Sequence, residues 1–303
     1  MKKFAVAGFF LLLGWLLLTQ ARAVEWDQVF ASLAHYPSAF LLGASTLTLL
    51  SLALYSSFDL LGRHHTGHTL RALAVMRVTF ISYVFNLNLG SLVGAVALRY
   101  RLYSRLGLDT ATITQVLSLS VLTNWAGYLL LAGVIFGFQT PALPPGWRVG
   151  STGLQWAGFV LLAVALLYLL LCALSRQRRL TLRGRHYGIP SWRLAALQLA
   201  MGAANWLLMG GVMFMALQQQ IGFTTVVGVL LLSVVAALIS RVPAGLGVLE
   251  AVFVVLLSHL LPRNEVLASI LVYRAIYYLA PLVLATVLYL VAESRASPSS
   301  PSQ

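Results

Sequence analysis

The sequence predicts an all-α, polytopic integral membrane protein with about eight transmembrane helices and one or two re-entrant or broken helical segments. Of its 303 residues, 60% are hydrophobic and only 9% are charged, whereas a soluble domain carries about 25% charged residues. Apolar runs close to the roughly 20 residues that a helix needs to cross a bilayer recur along nearly the whole chain. We therefore predict a single transmembrane domain over residues 1–292 and a disordered, cytoplasmic tail over residues 293–303, which is rich in Ser and Pro.

The amino terminus combines two lysines with an apolar run over residues 4–18 and the small-residue motif Ala21-Arg22-Ala23. This pattern is typical of a first span that acts as a signal anchor, and also of a cleaved secretory signal. A signal anchor is favoured because many spans follow. The clearest further spans are apolar runs over residues 38–61, 113–138, 154–174, 194–217, 224–239, 246–261 and 266–291.

The net charge of +13 arises from 20 Lys and Arg against 7 Asp and Glu. Because these basic residues lie in short loops, most clearly over residues 176–193, they predict the cytoplasmic side of a membrane and not a nucleic-acid-binding surface. We predict neither a metal site nor a cofactor, since Cys172 is a single cysteine and no acidic ligand lies near the loop histidines His64, His65 and His68. No nucleophile lies beside a base, so we do not predict an enzyme.

Residues 80–98 form an apolar segment that Asn86, Asn88 and Gly90 interrupt. Arginine clusters lie on both sides of this segment, so a single crossing would place one cluster outside, against the positive-inside rule. A re-entrant hairpin that returns to the same side removes the conflict. Irregular backbone at membrane depth is tolerated where protein or a water-filled cavity satisfies it. We therefore predict that residues 80–98 are re-entrant.

Two ionisable side chains, Glu250 and Arg274, lie within apolar segments near the end of the chain. Each charge costs about 2.5–3.5 kcal/mol at the centre of a membrane helix, so neither is expected to be unpaired. We predict that Glu250 pairs with Arg274 or with Arg241.

The segment over residues 243–261 is expected to be a broken helix, because it begins with a run that includes Gly245 and Gly247. A new helix would then begin near Gly247, with free N–H groups that attract anions. Two interpretations are open at this point. The half-helix points at a phosphate or carboxylate headgroup, as in transporters, or the break is a structural kink beside a buried ion pair.

A second basic cluster, Arg101 and Arg105, follows the interrupted segment with i,i+4 spacing. Guanidinium groups fork onto phosphate oxygens, so this cluster is a candidate site for a phospholipid headgroup. Simple anchoring at the membrane interface explains the same composition. Asp59 lies four residues before Arg63 and is predicted to pair with it.

Polar and small residues recur on one face of two long spans. They are Ser120, Thr123, Asn124 and Gly127 on the first span, and Gln198, Gly202 and Asn205 on the second. Helix–helix packing explains both stripes without any ligand.

Four motifs occur in order along the chain: Phe85-Asn86-Leu87-Asn88, Arg99-Tyr100-Arg101-Leu102-Tyr103, Pro243-Ala244-Gly245-Leu246-Gly247-Val248-Leu249-Glu250 and Tyr273-Arg274-Ala275-Ile276-Tyr277-Tyr278. With these motifs, almost the whole chain resembles the transmembrane family of lysylphosphatidylglycerol synthetase, the MprF flippase-type domain, and above all its stand-alone inner-membrane members. The resemblance implies a polytopic inner-membrane fold with re-entrant elements and, in the best-understood relatives, movement of an aminoacylated phospholipid between leaflets. Ala244 and Leu249 depart from the family pattern, which has a second glycine and an arginine at these places. The sequence lacks the soluble aminoacyl-transferase domain, so the chain is not expected to make that lipid itself.

From the residues and the resemblance we predict a phospholipid translocase, or flippase-like protein, of the bacterial inner membrane that handles an anionic or aminoacylated headgroup. The alternative is a non-transporting membrane partner of a lipid-synthesising enzyme, with the loop over residues 176–193 as its docking surface. The candidate headgroup-binding residues are Arg101, Arg105, Arg274, Glu250, Asn86, Asn88, Gly245, Gly247, Tyr277 and Tyr278. Membrane phospholipids are the expected partners, with such an enzyme in the alternative, and nucleic acid is not expected. No feature of the sequence defines an oligomeric state.

Overall fold

The computed structural model describes residues 36–139, 150–175, 190–240 and 247–294, together with Asp27, Ala31, Leu33, Ala34, Gly245 and the backbone of two short strands. The predicted first span over residues 4–18, the residues Arg241 to Ala244 and the tail from residue 295 lie outside the described residues.

The described chain is all-α apart from one small β-ribbon. Its helices are α1 (Ser38–Ser56), α2 (Phe58–Thr66), α3 (Ala72–Leu89), α4 (Arg99–Arg105), α5 (Thr110–Phe138), α6 (Ser151–Leu174), α7 (Trp192–Ala216), α8 (Phe223–Ser240), α9 (Val248–Leu257), α10 (Arg263–Arg274) and α11 (Ala280–Ser294). A π-helical segment (Leu92–Leu98) precedes α4, and a second one (Ala275–Leu279) joins α10 to α11. Strands β1 (Arg179–Leu182) and β2 (Arg185–Gly188) pair antiparallel within the arginine-rich loop.

Seven helical runs within the described residues are long and apolar enough to cross a membrane. They are Ser38–Thr66, Ala72–Leu89, Thr110–Phe138, Ser151–Leu174, Trp192–Ala216, Phe223–Ser240 and Arg263–Ser294. The protein is thus an all-α, polytopic membrane protein, as the sequence predicts. Helix α3, which overlaps the segment predicted to be re-entrant, has the length of a span. The predicted span over residues 246–261 is wrong, because α9 has only 10 residues. A helix of that length extends about 15 Å, which is half of a bilayer core.

The interrupted segment is a helical hairpin, and its first arm begins at Ala72 instead of residue 80. Gly90 forms the turn with a φ of 87°, a value that favours glycine. The returning π-helical segment then crosses α3 very closely, since a Cβ on Gly94 would lie 2.0 Å from the backbone nitrogen of Asn86. The hairpin has the geometry that a re-entrant element requires, and its position in a bilayer stays a prediction.

Helix α5 packs against α6 and α7 through glycines that bring the backbones together. A Cβ on Gly127 would lie 2.1 Å from the carbonyl carbon of Gly202, and a Cβ on Gly158 would lie 2.3 Å from the nitrogen of Gly137. The two polar stripes meet at the same interface, where Gln198 Nε2 donates to Thr123 Oγ1 at 3.0 Å. The packing interpretation of these stripes is therefore confirmed for the residues in contact.

The outer face of α6 consists of exposed apolar side chains. Val160, Leu166, Leu170 and Leu171 are each at least half exposed. A face of this kind would not be stable in water, and it matches contact with lipid. Helix α11 includes Glu293 and Ser294, so the helix extends two residues into the segment that was predicted to be a disordered tail.

Candidate functional site

Glu250 and Arg274 form the ion pair that the sequence predicts. Arg274 Nε lies 2.7 Å from Glu250 Oε1, and Arg274 Nη2 donates to Glu250 Oε2 at 3.1 Å. The side chain of Glu250 is 27% exposed and that of Arg274 is 15% exposed, so the pair is partly buried and still accessible to a small ligand. The alternative partner, Arg241, lies outside the described residues.

The pair lies within a helical run that is long enough to cross a membrane. Arg274 is located about 16 Å along the run Arg263–Ser294 from its start, at 1.5 Å per residue. The Arg274 guanidinium lies 5.8 Å from the ring centre of Tyr278, which is the distance of a cation–π contact. Its Nη2 also donates to the carbonyl oxygen of Gly245 at 3.5 Å. This cluster of Glu250, Arg274, Tyr278 and Gly245 is named the central ion pair site below.

Helix α9 begins directly after Gly247, which has a φ of 76°. Glu250 occupies the first turn of α9, where a carboxylate interacts favourably with the positive end of the helix dipole. The structure therefore supplies an anion of its own at the helix end for which the sequence suggested a lipid headgroup. An anion that approaches this end competes with Glu250 for the positive end of the helix dipole.

A buried network of hydroxyl and amide groups lies next to the central ion pair site. Tyr277 Oη lies 2.7 Å from Ser51 Oγ and 3.0 Å from Tyr83 Oη. Ser51 Oγ also donates to Asn205 Oδ1 at 2.8 Å. The network ties α1, α3 and α7 to the second π-helical segment. π-Helical segments are rare and occur frequently at functional sites.

The two predicted asparagines lie in α3, beside this region. Asn88 is buried, and its amide donates to the carbonyl oxygens of Val84 at 2.9 Å and Tyr278 at 3.3 Å. Asn86 lies under the Gly94 crossing. Asn88 thus positions the backbone of the second π-helical segment, from which Tyr277 and Tyr278 project.

Arg101 and Arg105 do not lie at the central ion pair site. Both guanidinium groups contact the carboxylate of Glu293, at 2.6 Å and 2.5 Å respectively. Glu293 lies about 28 Å along the same helical run from Arg274, at 1.5 Å per residue. The predicted charged residues therefore form two clusters that are far apart along this run, and Arg101, Arg105 and Glu293 are named the terminal arginine cluster below.

Asp59 does not pair with Arg63, and this prediction is wrong. Its Oδ2 accepts from Arg99 Nε at 3.1 Å and from Tyr103 Oη at 2.8 Å, while Arg99 Nη2 donates to Oδ1 at 3.2 Å and to Ser120 Oγ at 3.2 Å. Arg99 and Tyr103 lie four residues apart and share a helix face. This spacing is the feature of the sequence from which a shared acidic partner of Arg99 and Tyr103 could have been predicted.

Among the residues with described positions, no three His, Cys, Asp or Glu side chains come close enough to hold a metal ion. The arrangement that the structure does present consists of charges and hydroxyl groups enclosed by spans. It defines a class: a polytopic α-helical membrane protein with ion pairs and a tyrosine network inside its helical bundle.

Comparison with known proteins gives the family. Residues 3–285 match the family model described as the lysylphosphatidylglycerol synthase TM region, and the chain belongs to that family. It is 42% identical over 296 residues to the inner membrane protein YbhN of Escherichia coli, covering 97% of this chain and 93% of the relative. It is 30% identical over 260 residues to an uncharacterized protein of Synechocystis, with coverage of 85% and 80%.

A more distant relative is the phosphatidylglycerol lysyltransferase of Staphylococcus haemolyticus. The two are 23% identical over 257 residues, and the alignment covers 82% of this chain but 28% of the enzyme. This chain is therefore similar to one part of that longer protein.

Proposed function

We propose that this protein is a phospholipid translocase of the bacterial inner membrane, which moves a headgroup through the bundle by exchange at the central ion pair site. The observation that carries the proposal is the ion pair of Glu250 and Arg274, with partly exposed charges at mid-span and a broken helix beside it. Two relatives support the proposal by their names, one an inner membrane protein and one an enzyme of phosphatidylglycerol.

A headgroup that carries both a phosphate and an ammonium group fits this pair. Its phosphate would bind Arg274 while its ammonium group binds Glu250, so both protein charges stay paired during the exchange. Leaving either charge alone at this depth costs several kcal/mol. An aminoacylated phospholipid has both groups, and a simple anionic lipid has only the phosphate.

The terminal arginine cluster would make the first contact with a headgroup. Its arginines are 15% and 34% exposed, and they share the single carboxylate of Glu293. Two guanidinium groups on one carboxylate leave a positive excess that attracts phosphate. We place this cluster and the carboxyl end of the chain on the cytoplasmic side, in accordance with the positive-inside rule.

Transport of this kind requires no nucleotide and no catalysis. A shielded polar path lowers the barrier that hydrocarbon presents to a charged headgroup, and net movement follows the lipid gradient. The proposal accordingly assigns no catalytic residue to this chain.

The direct test is reconstitution of the purified protein into liposomes, with a leaflet-specific assay for fluorescent phosphatidylglycerol and for an aminoacylated phosphatidylglycerol. We expect rapid exchange of lipid between leaflets with the wild-type protein and a loss of about tenfold or more with Glu250→Gln, which leaves Arg274 without its counter-charge. Arg274→Gln is expected to have the same effect.

The matched control is Glu265→Gln, which removes an exposed carboxylate from the first turn of α10, the helix that carries Arg274. It is expected to transport as the wild type does. Absence of transport of either lipid by folded wild-type protein would refute the proposal, and equal rates in wild type and Glu250→Gln would refute the role of the ion pair.

A second function is favoured by one observation, the β-ribbon of Arg179–Leu182 and Arg185–Gly188 in the arginine-rich loop. A basic β-ribbon suits docking of an acidic surface on a lipid-synthesising enzyme. Replacing residues 179–188 by a Gly-Ser linker separates the two functions. Loss of cellular function with lipid exchange intact would favour the partner role over transport.

A further inference from the structure

A long groove runs between α1, α3 and the helical run that ends the described chain. Its volume is about 940 Å³, which is at the upper end of the range for ligand pockets. The walls are almost entirely apolar, with side chains such as Leu49, Leu52, Phe80, Ile276 and Leu284. The second π-helical segment and Pro281 form one side, so the groove passes close to the central ion pair site without including it.

Two arginines line the same groove where α3 begins. Arg71 precedes the first residue of α3, and Arg77 lies about 9 Å further along the helix, at 1.5 Å per residue. Both side chains are exposed, and neither forms an ion pair with any residue in the described part of the chain. The groove therefore combines an apolar interior with two cations that have no counter-charge among the residues described by the structure.

The wall of the groove also contains a buried hydroxyl group without a partner among the described residues. Thr48 is 3% exposed and lines the wall, and its Oγ1 forms no hydrogen bond with the residues that the structure describes. A threonine hydroxyl in a helix usually donates to the carbonyl four residues earlier, as Thr79 does with Val75. Because Oγ1 is itself enclosed by protein atoms, a ligand in the groove does not contact it, and the polar groups open to such a ligand are those of Arg71 and Arg77.

We infer that the groove binds one anionic glycerophospholipid, with its acyl chains along α1 and α11 and its phosphate between Arg71 and Arg77. Charge complementarity selects this occupant, because a phosphate diester neutralises the two arginines while the chains fill an interior that excludes water. The inference deepens the proposed function, since it takes its lipid class from that proposal and names the place where the lipid leaves the bilayer.

A bulk lipid that merely touches the protein surface differs from this ligand in two measurable ways. It is not selected by headgroup, and it is not displaced by a side chain that fills the groove. The test therefore uses two variants. The first is a double variant that combines Arg71→Gln and Arg77→Gln, and the second is Ala53→Trp, which fills the groove. Ala53 lines the groove on an exposed position of α1.

Each variant has a matched control outside the groove. Arg193→Gln neutralises an exposed arginine at the start of α7, and Leu166→Trp adds bulk to the exposed face of α6. The full-length protein is purified in detergent with added phosphatidylglycerol or phosphatidylcholine, and native mass spectrometry measures how much of each lipid stays bound. Thermal unfolding of each variant establishes that it is folded.

We expect the wild-type protein to retain phosphatidylglycerol over phosphatidylcholine, and the double Gln variant to lose about tenfold in apparent affinity for phosphatidylglycerol. Ala53→Trp is expected to lower retention of both lipids, and both controls are expected to behave as the wild type. Equal retention in the wild type, the double variant and Ala53→Trp would overturn the inference, because a lipid that all three retain equally is bound at the protein surface and not in the groove. Loss in Ala53→Trp with unchanged headgroup selection in the double variant would refute the assignment of the phosphate to the arginines.

The transport variant separates this inference from the proposed function. Glu250→Gln is expected to keep the bound phosphatidylglycerol, since Glu250 does not line the groove. Transport that persists in a double Gln variant without lipid retention would overturn the groove and leave the translocase intact. Retention without any transport by the wild type would leave a lipid-binding groove and remove the translocase.

Discussion

Arg99 and Asp59 face each other through two parallel N–H···O contacts, of 3.1 Å and 3.2 Å, in a setting where their side chains are 1% and 0% exposed. Tyr103 and Ser120 complete the hydrogen bonding of the pair. This ion pair is more deeply buried than the one at the central ion pair site, and it connects α2, α4 and α5. Such a pair is expected to stabilise the hairpin against the rest of the bundle.

Asp59→Asn is therefore expected to lower the free energy of unfolding by about 3–5 kcal/mol, because it leaves the Arg99 guanidinium buried without a counter-charge. Unfolding of the purified protein by titration with a denaturing detergent measures this change. The double variant Asp59→Leu with Arg99→Met is expected to recover most of the loss, since it removes both charges together. A loss within about 1 kcal/mol for Asp59→Asn would contradict the buried pair.

The terminal arginine cluster is expected to contribute far less. Arg105 is 34% exposed, and Glu293 is the next-to-last residue of α11, so we expect water to reach the cluster and to screen its attraction. Glu293→Gln is expected to cost less than about 1 kcal/mol of unfolding free energy. The effect should shrink further at high salt, because exposed ion pairs are screened. A loss as large as that of Asp59→Asn would show that the cluster is a structural lock and not an exchangeable site.

The hairpin depends on the absence of a side chain at Gly94. Because a Cβ there would lie 2.0 Å from the Asn86 nitrogen and 2.3 Å from its Cα, Gly94→Ala forces the two arms apart. We expect a destabilisation of about 1–3 kcal/mol or more. Gly150→Ala is the matched control, since no atom lies within 4 Å of a Cβ at that position. Similar thermal stability of the two variants would be incompatible with the close crossing of the arms.

The loop between α2 and α3 is expected to make the stability of the protein depend on pH. Burial, and next the charge of Arg63, lower the pKa of His68 below its ordinary value of 6.5. The unfolded chain therefore takes up this proton at a higher pH than the folded chain does. Stability is expected to fall as the pH decreases through 6.5, until the folded histidine is protonated as well.

Unfolding free energies measured on both sides of pH 6.5 check this expectation. His68→Gln is expected to reduce the pH dependence. His65→Gln, at an exposed position of α2, is the control and should leave the dependence as in the wild type. A His68→Gln variant that keeps the full acid sensitivity would assign the effect to another group.

The sequence predicts the spans and the Glu250–Arg274 pair for the same reason. In hydrocarbon each helix must satisfy its own backbone, and each charge needs a partner, so length, hydropathy and isolated charges carry the information. The pairing of Glu250 with Arg274 bridges 24 residues, yet few ionisable residues in the apolar segments were available to compete for it.

Asp59 shows where such reasoning fails. Arg63 is a neighbour at i,i+4, and the local rule favours it. The actual partner lies 40 residues away and is brought close by the hairpin, whose turn at Gly90 and crossing at Gly94 set the register. Glu293 contacts arginines that are 192 and 188 residues distant. No periodicity within one helix encodes contacts of that kind.

Tyr278 offers a test of how Arg274 is held before a headgroup arrives. Its ring lies 5.8 Å from the guanidinium, and its carbonyl oxygen, which accepts from Asn88, is part of the backbone. Tyr278→Phe keeps the ring face, so it is expected to retain the wild-type rate of lipid exchange. Tyr278→Leu removes the cation–π contact and keeps the backbone bond, and it is expected to lower the rate by about threefold or more. The liposome assay measures both rates. Equal loss in the Phe and Leu variants would assign the effect to the hydroxyl group, and no loss in either would mean that Glu250 and the Gly245 carbonyl orient the arginine without the ring.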